Sequence, residues 1–374
     1  MPVHPLNFWG EQDRPQALAD VFARRPLLGS GERPPELLDL AGRRSFYLPS
    51  YRGDQPSVAV ERTAEDDGLW RVDVPMNDRL LGARPGRSAR REPAEGFLAA
   101  VDERVAFTSF RPDWTDALYV PRRVAPTEVP RLRRFDGRGV RPLFVFGNDD
   151  RWAFQDASWP WGLAGRVFNS SGYSGTGALV GDRLVVTAGH MVPWDDDPWW
   201  MLFVPAYFDG ASLHGAGVQS YVSDARGYDV NGDVTGYDWA VLRLYQPLGS
   251  LLGYYGFNGY SSSWNNQPWW SIVGYPGAVA NAQRPSFQGG ITVNDTDSDS
   301  NGGEEIESQT ADLTPGNSGG PMFGWWSGDP RIVGVVSGEE EDYSFPFSFD
   351  DENVMAGGSG FTNLVAWGRT NWPA

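Results

Sequence analysis

The 374-residue chain has no cysteine and no lysine, and it holds only three histidines. Without thiols there is no disulfide and no thiolate ligand, so cysteine usage points to neither an oxidising nor a reducing compartment. All 31 basic residues are arginine, which excludes a serine–lysine dyad. Zinc hydrolysis lacks its usual donors, because there is no His-Glu-x-x-His and the only imidazoles are His4, His190 and His214. No run approaches the ~18 apolar residues of a membrane span, and the opening MPVHPLNFWG has no apolar signal core, so neither a span nor an export signal is expected.

Charge is distributed unevenly. Residues 1–141 carry 23 arginines against 21 acids, while residues 142–374 carry 8 against 27, so a net charge of −17 divides into +2 and −19. The change marks a boundary between an N-terminal region, 1–141, and a main domain, 142–374. In the first, Arg14–Arg25 and Glu92–Val105 have helical spacing, and Ser57–Thr63 and Leu69–Val74 alternate like strands. PRLRRFDGRGVRP at 130–142 reads as an exposed, cleavable linker.

The main domain has a different rhythm. Short β-branched or aromatic runs recur between Gly, Pro, Asn and Asp clusters: Leu184–Thr187, Leu202–Tyr207, Val218–Val222, Ala240–Leu244, Ser271–Gly274, Gly290–Val293 and Ile332–Ser337. That pattern predicts an all-β sandwich or barrel. Phe361 to Trp367 is the one stretch expected to form a short helix.

TADLTPGNSGGPMF, residues 310–323, places Ser318 in a glycine-rich turn whose backbone N–H groups can converge on one point. Such a turn suits a nucleophile with its own oxyanion hole, provided that a base takes the serine proton. His190 ends GDRLVVTAGH, and Asp238 opens the strand DWAVLRLY. The order His, Asp, Ser separates this chain from α/β-hydrolases, whose acid and histidine follow the serine, and from subtilisin-like enzymes, whose aspartate precedes the histidine. Asp229 and Asp233 lie close to Asp238 in the chain. His4 and His214 are expected in solvated segments without a role.

FVFGNDDR, SGTGALVGDRLVVTAGH, FVPAYFDG, YDWAVLRL, VGYPG and GNSGGP follow one another in the order seen in chymotrypsin-like serine proteases. Over about residues 142–374 the chain most resembles the bacterial and fungal branch of V8-type glutamyl endopeptidases. The resemblance implies two packed antiparallel β-barrels with His190, Asp238 and Ser318 in the cleft between them, and it selects Asp238 over its neighbouring acids. It further implies acyl transfer, with the Gly316 and Ser318 N–H groups holding the oxyanion. Ser337-Gly338-Glu339 resembles the strand that pairs with substrate.

Two departures from the glutamyl-specific pattern stand out. The positions that would contact a glutamate side chain look like Leu313 and Val336, and the residue before the nucleophile is Asn317 where trypsin-type zymogens have aspartate. Asp312 lies where trypsin-like enzymes carry a pocket-floor aspartate, so arginine or neutral residues are expected before the scissile bond rather than glutamate.

Asp297, Asp299 and Asn301 match the first half of an EF-hand loop, making Ca²⁺ a candidate ligand, although no cofactor is required. A polypeptide is the expected partner, nucleic acid and membrane are not, and oligomeric state is not set by the sequence. The family is mostly secreted. Two other readings remain at this point: a regulatory or binding protein with a protease fold, and an N-terminal region that recognises partners instead of restraining the enzyme as in a zymogen.

Overall fold

The computed structural model describes residues 14–41, 45–48, 59–62, 70–73, 86–90, 107–124, 145–196, 198–230, 233–344 and 348–373. Six antiparallel strands make the first barrel: β1 (Ala164–Asn169), β2 (Ser174–Gly181), β3 (Leu184–Thr187), β4 (Met201–Pro205), β5 (Ser220–Gly227) and β6 (Ala240–Leu244). They run in the order β6-β3-β2-β1-β4-β5, and pairing of β5 with β6 closes the ring. Closure pairs the strands around the ring, Ser88–Arg90 takes the remaining edge of β5, and the branched side chains of β2, β3 and β6 are buried on both faces; Leu179, Val185, Val186, Val241 and Leu242 are all fully buried.

The second sheet contains β7 (Trp270–Gly274), β8 (Ser286–Ile291), β9 (Asp295–Ser298), β10 (Glu304–Ser308), β11 (Pro321–Trp326), β12 (Asp329–Ser344) and β13 (Ser348–Gly357). Its order is β9-β10-β13-β12-β11-β7-β8, with the short strands Trp152–Ala153 beside β8 and Gly256–Phe257 beside β12 completing nine. β8 bends into β9 within four residues, and Asn294 N donates to Glu307 O at 2.8 Å, so one bent segment pairs with both ends of the sheet and closes a second barrel. The two packed barrels agree with the all-β expectation. Trp161, 1% exposed, sits at their junction, with its ring against Phe287 at 5.3 Å and near Phe323 and Trp325. Truncating such a ring to alanine typically costs about 3–5 kcal/mol.

The C-terminal helix runs from Gly358 to Asn371, longer than the expected Phe361–Trp367. Its glycine and asparagine flanks have low helix propensity, but Phe361, Leu364 and Val365 are fully buried, and packing overrides propensity. Arg369 anchors its end by donating from Nη2 to Tyr255 O at 2.7 Å. The strand expected at Gly290–Val293 lies earlier, at Ser286–Ile291, with Phe287 and Ile291 buried; Val293, just beyond its end, is buried in the second core as well.

In the N-terminal region a five-residue helix, Leu18–Phe22, falls inside the expected Arg14–Arg25, and strands Ala59–Arg62 and Trp70–Asp73 form a three-stranded sheet with Ser45–Leu48. The expected helix Glu92–Val105 and the linker at 130–142 lie outside the described residues. Several pieces from before residue 142 pack directly on the barrels. Gln16 N donates to Trp325 O at 2.7 Å, Ser88–Arg90 pairs in parallel with β5, and Phe110 N donates to Tyr254 O at 2.9 Å. Val21 and Ala117, both fully buried, belong to the same hydrophobic core as the first barrel.

Candidate active site

Strand register brings the first two groups together. β3 and β6 are antiparallel with Ala240 opposite Thr187, so two residues further on Asp238 comes level with Gly189, next to His190. The approach is close: a Cβ on Gly189 would lie 2.4 Å from Tyr228 O, so only glycine fits. Asp238 is fully buried and accepts three hydrogen bonds: His190 N to Oδ1 at 2.9 Å, and both His190 Nδ1 and Ser337 Oγ to Oδ2 at 2.7 Å. Because an ionised carboxylate only accepts, Nδ1 must carry a proton, which leaves Nε2 of the neutral ring as an acceptor facing the cleft. Burial alone would push the imidazole pKa down; the adjacent Asp238 charge and its hydrogen bond oppose this, and the net direction is up.

Ser318 comes from the turn between β10 and β11. Its neighbouring peptides are fixed from outside. Pro315 O accepts from Gly277 N at 2.8 Å, and Asn317 O accepts from Gly320 N at 2.7 Å. In a trans peptide the N–H points opposite to the C=O, so these two bonds turn the Gly316 and Ser318 N–H groups the other way, with no acceptor of their own among the described residues. Gly316 sits at φ +104°, a region that disfavours a Cβ, and a Cβ there would meet Tyr275 O at 2.5 Å. The geometry is a ready pair of donors for an oxyanion.

Thr176 of β2, within SGTG, was not singled out from sequence. Its N donates to Ser318 O at 2.8 Å and its Oγ1 to Gly316 O at 2.8 Å, while Oγ1 also accepts from Tyr275 N at 3.0 Å. One first-barrel residue thus ties the Ser318 turn of the second barrel. A threonine flanked by glycines at the start of a strand was the only local signal.

His190, Ser318, Gly316 and Ser337 line a single cleft of about 840 Å³. Gly338 and Glu339 also line it, as do Asp195, Asp196, Asp229 and Asp233. Val234 closes one side against Gly338, where an added Cβ would approach its Cγ2 to 2.6 Å.

Other expectations require correction. Asp312 does not floor a substrate pocket: it is 2% exposed, and its Oδ1 and Oδ2 accept from Phe146 N at 2.8 Å and Asp150 N at 3.1 Å. Burial, reinforced by the charges of Asp150 and Asp149, raises its pKa against the pull of those two N–H groups. Its role is to hold segment 146–150. Leu313 and Val336 are fully buried in the second core, so they face neighbouring apolar side chains and not the cleft. Nor is His214 solvated: it is 5% exposed beneath Trp114, its Nε2 lies 3.4 Å from Gly162 O, and burial lowers its pKa to about 4. His4 lies outside the described residues.

The expected calcium ligands are not gathered either. Asp299 Oδ2 accepts from Gly236 N at 3.0 Å and its Oδ1 from Ser300 N, while Asn301 occupies the turn at φ +60°. Asp297 instead faces Glu305 and Glu307 across the β9–β10 hairpin, with carboxylate oxygens within 4.8 Å of one another. The segment continues as a strand to Ser298, so it does not wrap as an ion-binding loop.

A family profile described as trypsin-like peptidase domain matches residues 175–335. Residues 175–335, which include His190, Asp238 and Ser318, are thus similar to that peptidase family. A glutamyl endopeptidase of Bacillus licheniformis is 28% identical over 190 residues, 48% of this chain and 54% of that protein. An extracellular metalloprotease of Bacillus subtilis is also 28% identical, over 247 residues, 64% of this chain and 68% of the relative. The chain thus spans between half and about two thirds of the length of these relatives. Among solved structures, a Glu endopeptidase is matched with a TM-score of 0.46 at 20% identity, covering 61% of this chain and all of that one. Human heparin binding protein is matched with a TM-score of 0.37 at 16% identity, covering 56% and 89%.

Proposed function

We propose that the chain is a serine endopeptidase in which Ser318 is the nucleophile, His190 the general base and acid, and Asp238 the group that holds the imidazole. The observation that carries this reading is the arrangement around Asp238 and Ser318: a buried carboxylate bonded to both Nδ1 and N of His190, beside a serine turn whose two N–H groups are turned outward. Ser318 Oγ attacks the peptide carbonyl while Nε2 of His190 takes its proton. The tetrahedral oxyanion sits on the Gly316 and Ser318 N–H groups, the imidazolium is stabilised by Asp238, and its proton leaves with the amine. Water then repeats the sequence on the acyl-enzyme. A serine-reactive fluorophosphonate is the direct test, since it forms a covalent adduct only with an activated serine and needs no knowledge of the natural substrate.

We infer further that residues 1–141 restrain the peptidase and that cutting after Arg134 or Arg138 releases it. Opposite net charges of +2 and −19 support attraction between the two parts, and tethering raises their effective concentration. The described pieces of this region pack on the barrels and do not contribute to the cleft lining, so they support attachment to the domain. Comparing intact and cleaved chain on casein, at low and high salt, tests the restraint; equal activity at both would exclude it.

A further inference from the structure

We propose that Asp299 and Glu305, on the β9–β10 hairpin of the second barrel, are positioning residues for Asp238: their carboxylates hold the peptide unit to which the Asp238 backbone is bonded. The inference rests on the endopeptidase reading, in which Asp238 acts by orienting His190. Asp238 ends a tight turn, where its N–H donates to Thr235 O at 3.2 Å. The other end of that same peptide unit is the N–H of Gly236, which donates to Asp299 Oδ2 at 3.0 Å and to Glu305 Oε1 at 3.1 Å. The next carbonyl, Gly236 O, accepts from Glu304 N at 3.1 Å and from Trp239 Nε1 at 3.2 Å. Hydrogen bonds at both ends of one peptide polarise it and strengthen each other, so the two carboxylates reinforce the bond from Asp238 N. His190 and Ser337 fix the Asp238 side chain at its far end; the hairpin fixes the backbone from which it projects.

The contact leaves no room for the turn to shift toward the hairpin. A Cβ on Gly236 would lie 2.6 Å from Glu304 C, and one on Gly303 would lie 2.6 Å from Gly236 C. Asp299 is itself oriented: its N donates to Gly303 O at 3.0 Å and its Oδ1 accepts from Ser300 N. Two acids on one donor exceed what that N–H needs, since one acceptor satisfies it. Glu305 also stands with its carboxylate within 4.8 Å of those of Asp297 and Glu307, where its charge helps to raise the Glu307 pKa. A contact that only stabilised the fold would be served as well by a neutral acceptor without this repulsion. Stability given up at one place for fixed geometry at another is the pattern of a functional site.

The test compares the full chain with Glu305→Ala, Asp299→Ala, both together, and the amide pair Asp299→Asn with Glu305→Gln. Each single substitution leaves one acceptor on Gly236 N, so kcat on a peptide substrate should fall about threefold with KM unchanged. The double alanine chain loses both acceptors, and its kcat should fall roughly 30-fold, more than the two single losses combined. The amide pair keeps neutral acceptors and should recover most of the rate. Glu305→Ala also relieves repulsion in its acid cluster, so it should lose rate while Tm holds, which separates positioning from folding. With only three histidines in the chain, NMR of labelled imidazoles follows His190 without any turnover. The double alanine substitution should lower its pKa, because a loosened Asp238 supplies less of the charge and hydrogen bond that raise it. Unchanged kcat and His190 pKa in the Glu305→Ala and double alanine chains, or a loss of rate that follows Tm and is not recovered by the amide pair, overturns the proposal. If the unsubstituted chain hydrolyses no peptide while the His190 pKa falls as expected, the endopeptidase reading fails and the positioning role stands.

Discussion

Two buried carboxylates, one in each barrel, have opposite surroundings. Asp238 is met by three donors, two from His190 and one from Ser337. Glu307, 8% exposed, is met by acids: burial, then Glu352, Asp297 and Glu305, raise its pKa to about 9. Burial is common to both, so the neighbours decide the outcome. Donors make Asp238 an orienting acceptor; like charges favour the protonated form of Glu307 and leave a site whose stability depends on pH.

The largest expected effects lie at the donor-rich site. Asp238→Asn should reduce kcat by about 10⁴-fold at neutral pH, since the amide favours the wrong imidazole tautomer. Steady-state kinetics on a peptide substrate, with the folded fraction checked by circular dichroism, gives the number; a drop below tenfold would remove Asp238 from the mechanism. Thr176→Val is expected to have a smaller effect. It removes the hydroxyl bond to Gly316 O while leaving the backbone bond to Ser318 O, so kcat should fall by about tenfold, short of the ~10²–10³ of losing an oxyanion donor outright. An unchanged kcat would show that Gly277 and Gly320 suffice to hold the turn.

Protonation sharpens the comparison. On the proposed mechanism His190 has to be neutral to take the serine proton, and its pKa is raised, so activity should fall on acidification with a midpoint above the ordinary 6.5. Ser337→Ala removes one of the two hydrogen bonds to Asp238 Oδ2 and should move that midpoint; a pH–rate profile identical to that of the unsubstituted enzyme would make Ser337 a packing residue only. In stability the raised His190 pKa acts in the other direction: its contribution is complete below the unfolded value and is lost as pH rises through the folded one.

The acid-rich site has the smallest predicted effect. Glu307 and Glu304 have folded pKa values raised from 4.5 to about 9 and about 7, so their neutral forms stabilise the fold below pH 4.5 and this contribution is lost as pH climbs through those values. Glu307→Gln keeps the neutral shape at all pH and should be the more stable chain near pH 9, by roughly 1 kcal/mol or a few degrees in Tm. Melting curves at pH 5 and pH 9 check the sign. If the substituted chain is less stable at both, Glu307 has a compensating partner.

The residues of the donor-rich site were legible in the sequence because each lies next to a strand in a short, distinctive context: VVTAGH, GYDWAVL and GNSGGP. Strand boundaries followed from the alternation of branched residues with turn residues, and Leu184–Thr187 and Ala240–Leu244 are observed with the expected limits. What escaped depends on contacts distant in sequence. Asp312 read as a pocket floor because its partners, the N–H groups of Phe146 and Asp150, lie more than 160 residues away. Thr176 acts across the barrel interface, and His214 is buried by Trp114 from the N-terminal region.

The most direct measurement is fluorophosphonate labelling of the full chain beside its Ser318→Ala counterpart, with the adduct located by peptide mass spectrometry. The account predicts one adduct, on Ser318, formed faster as pH rises through the raised His190 pKa and absent from Ser318→Ala. An adduct on another residue, or peptide hydrolysis by Ser318→Ala at the unsubstituted rate, would contradict it.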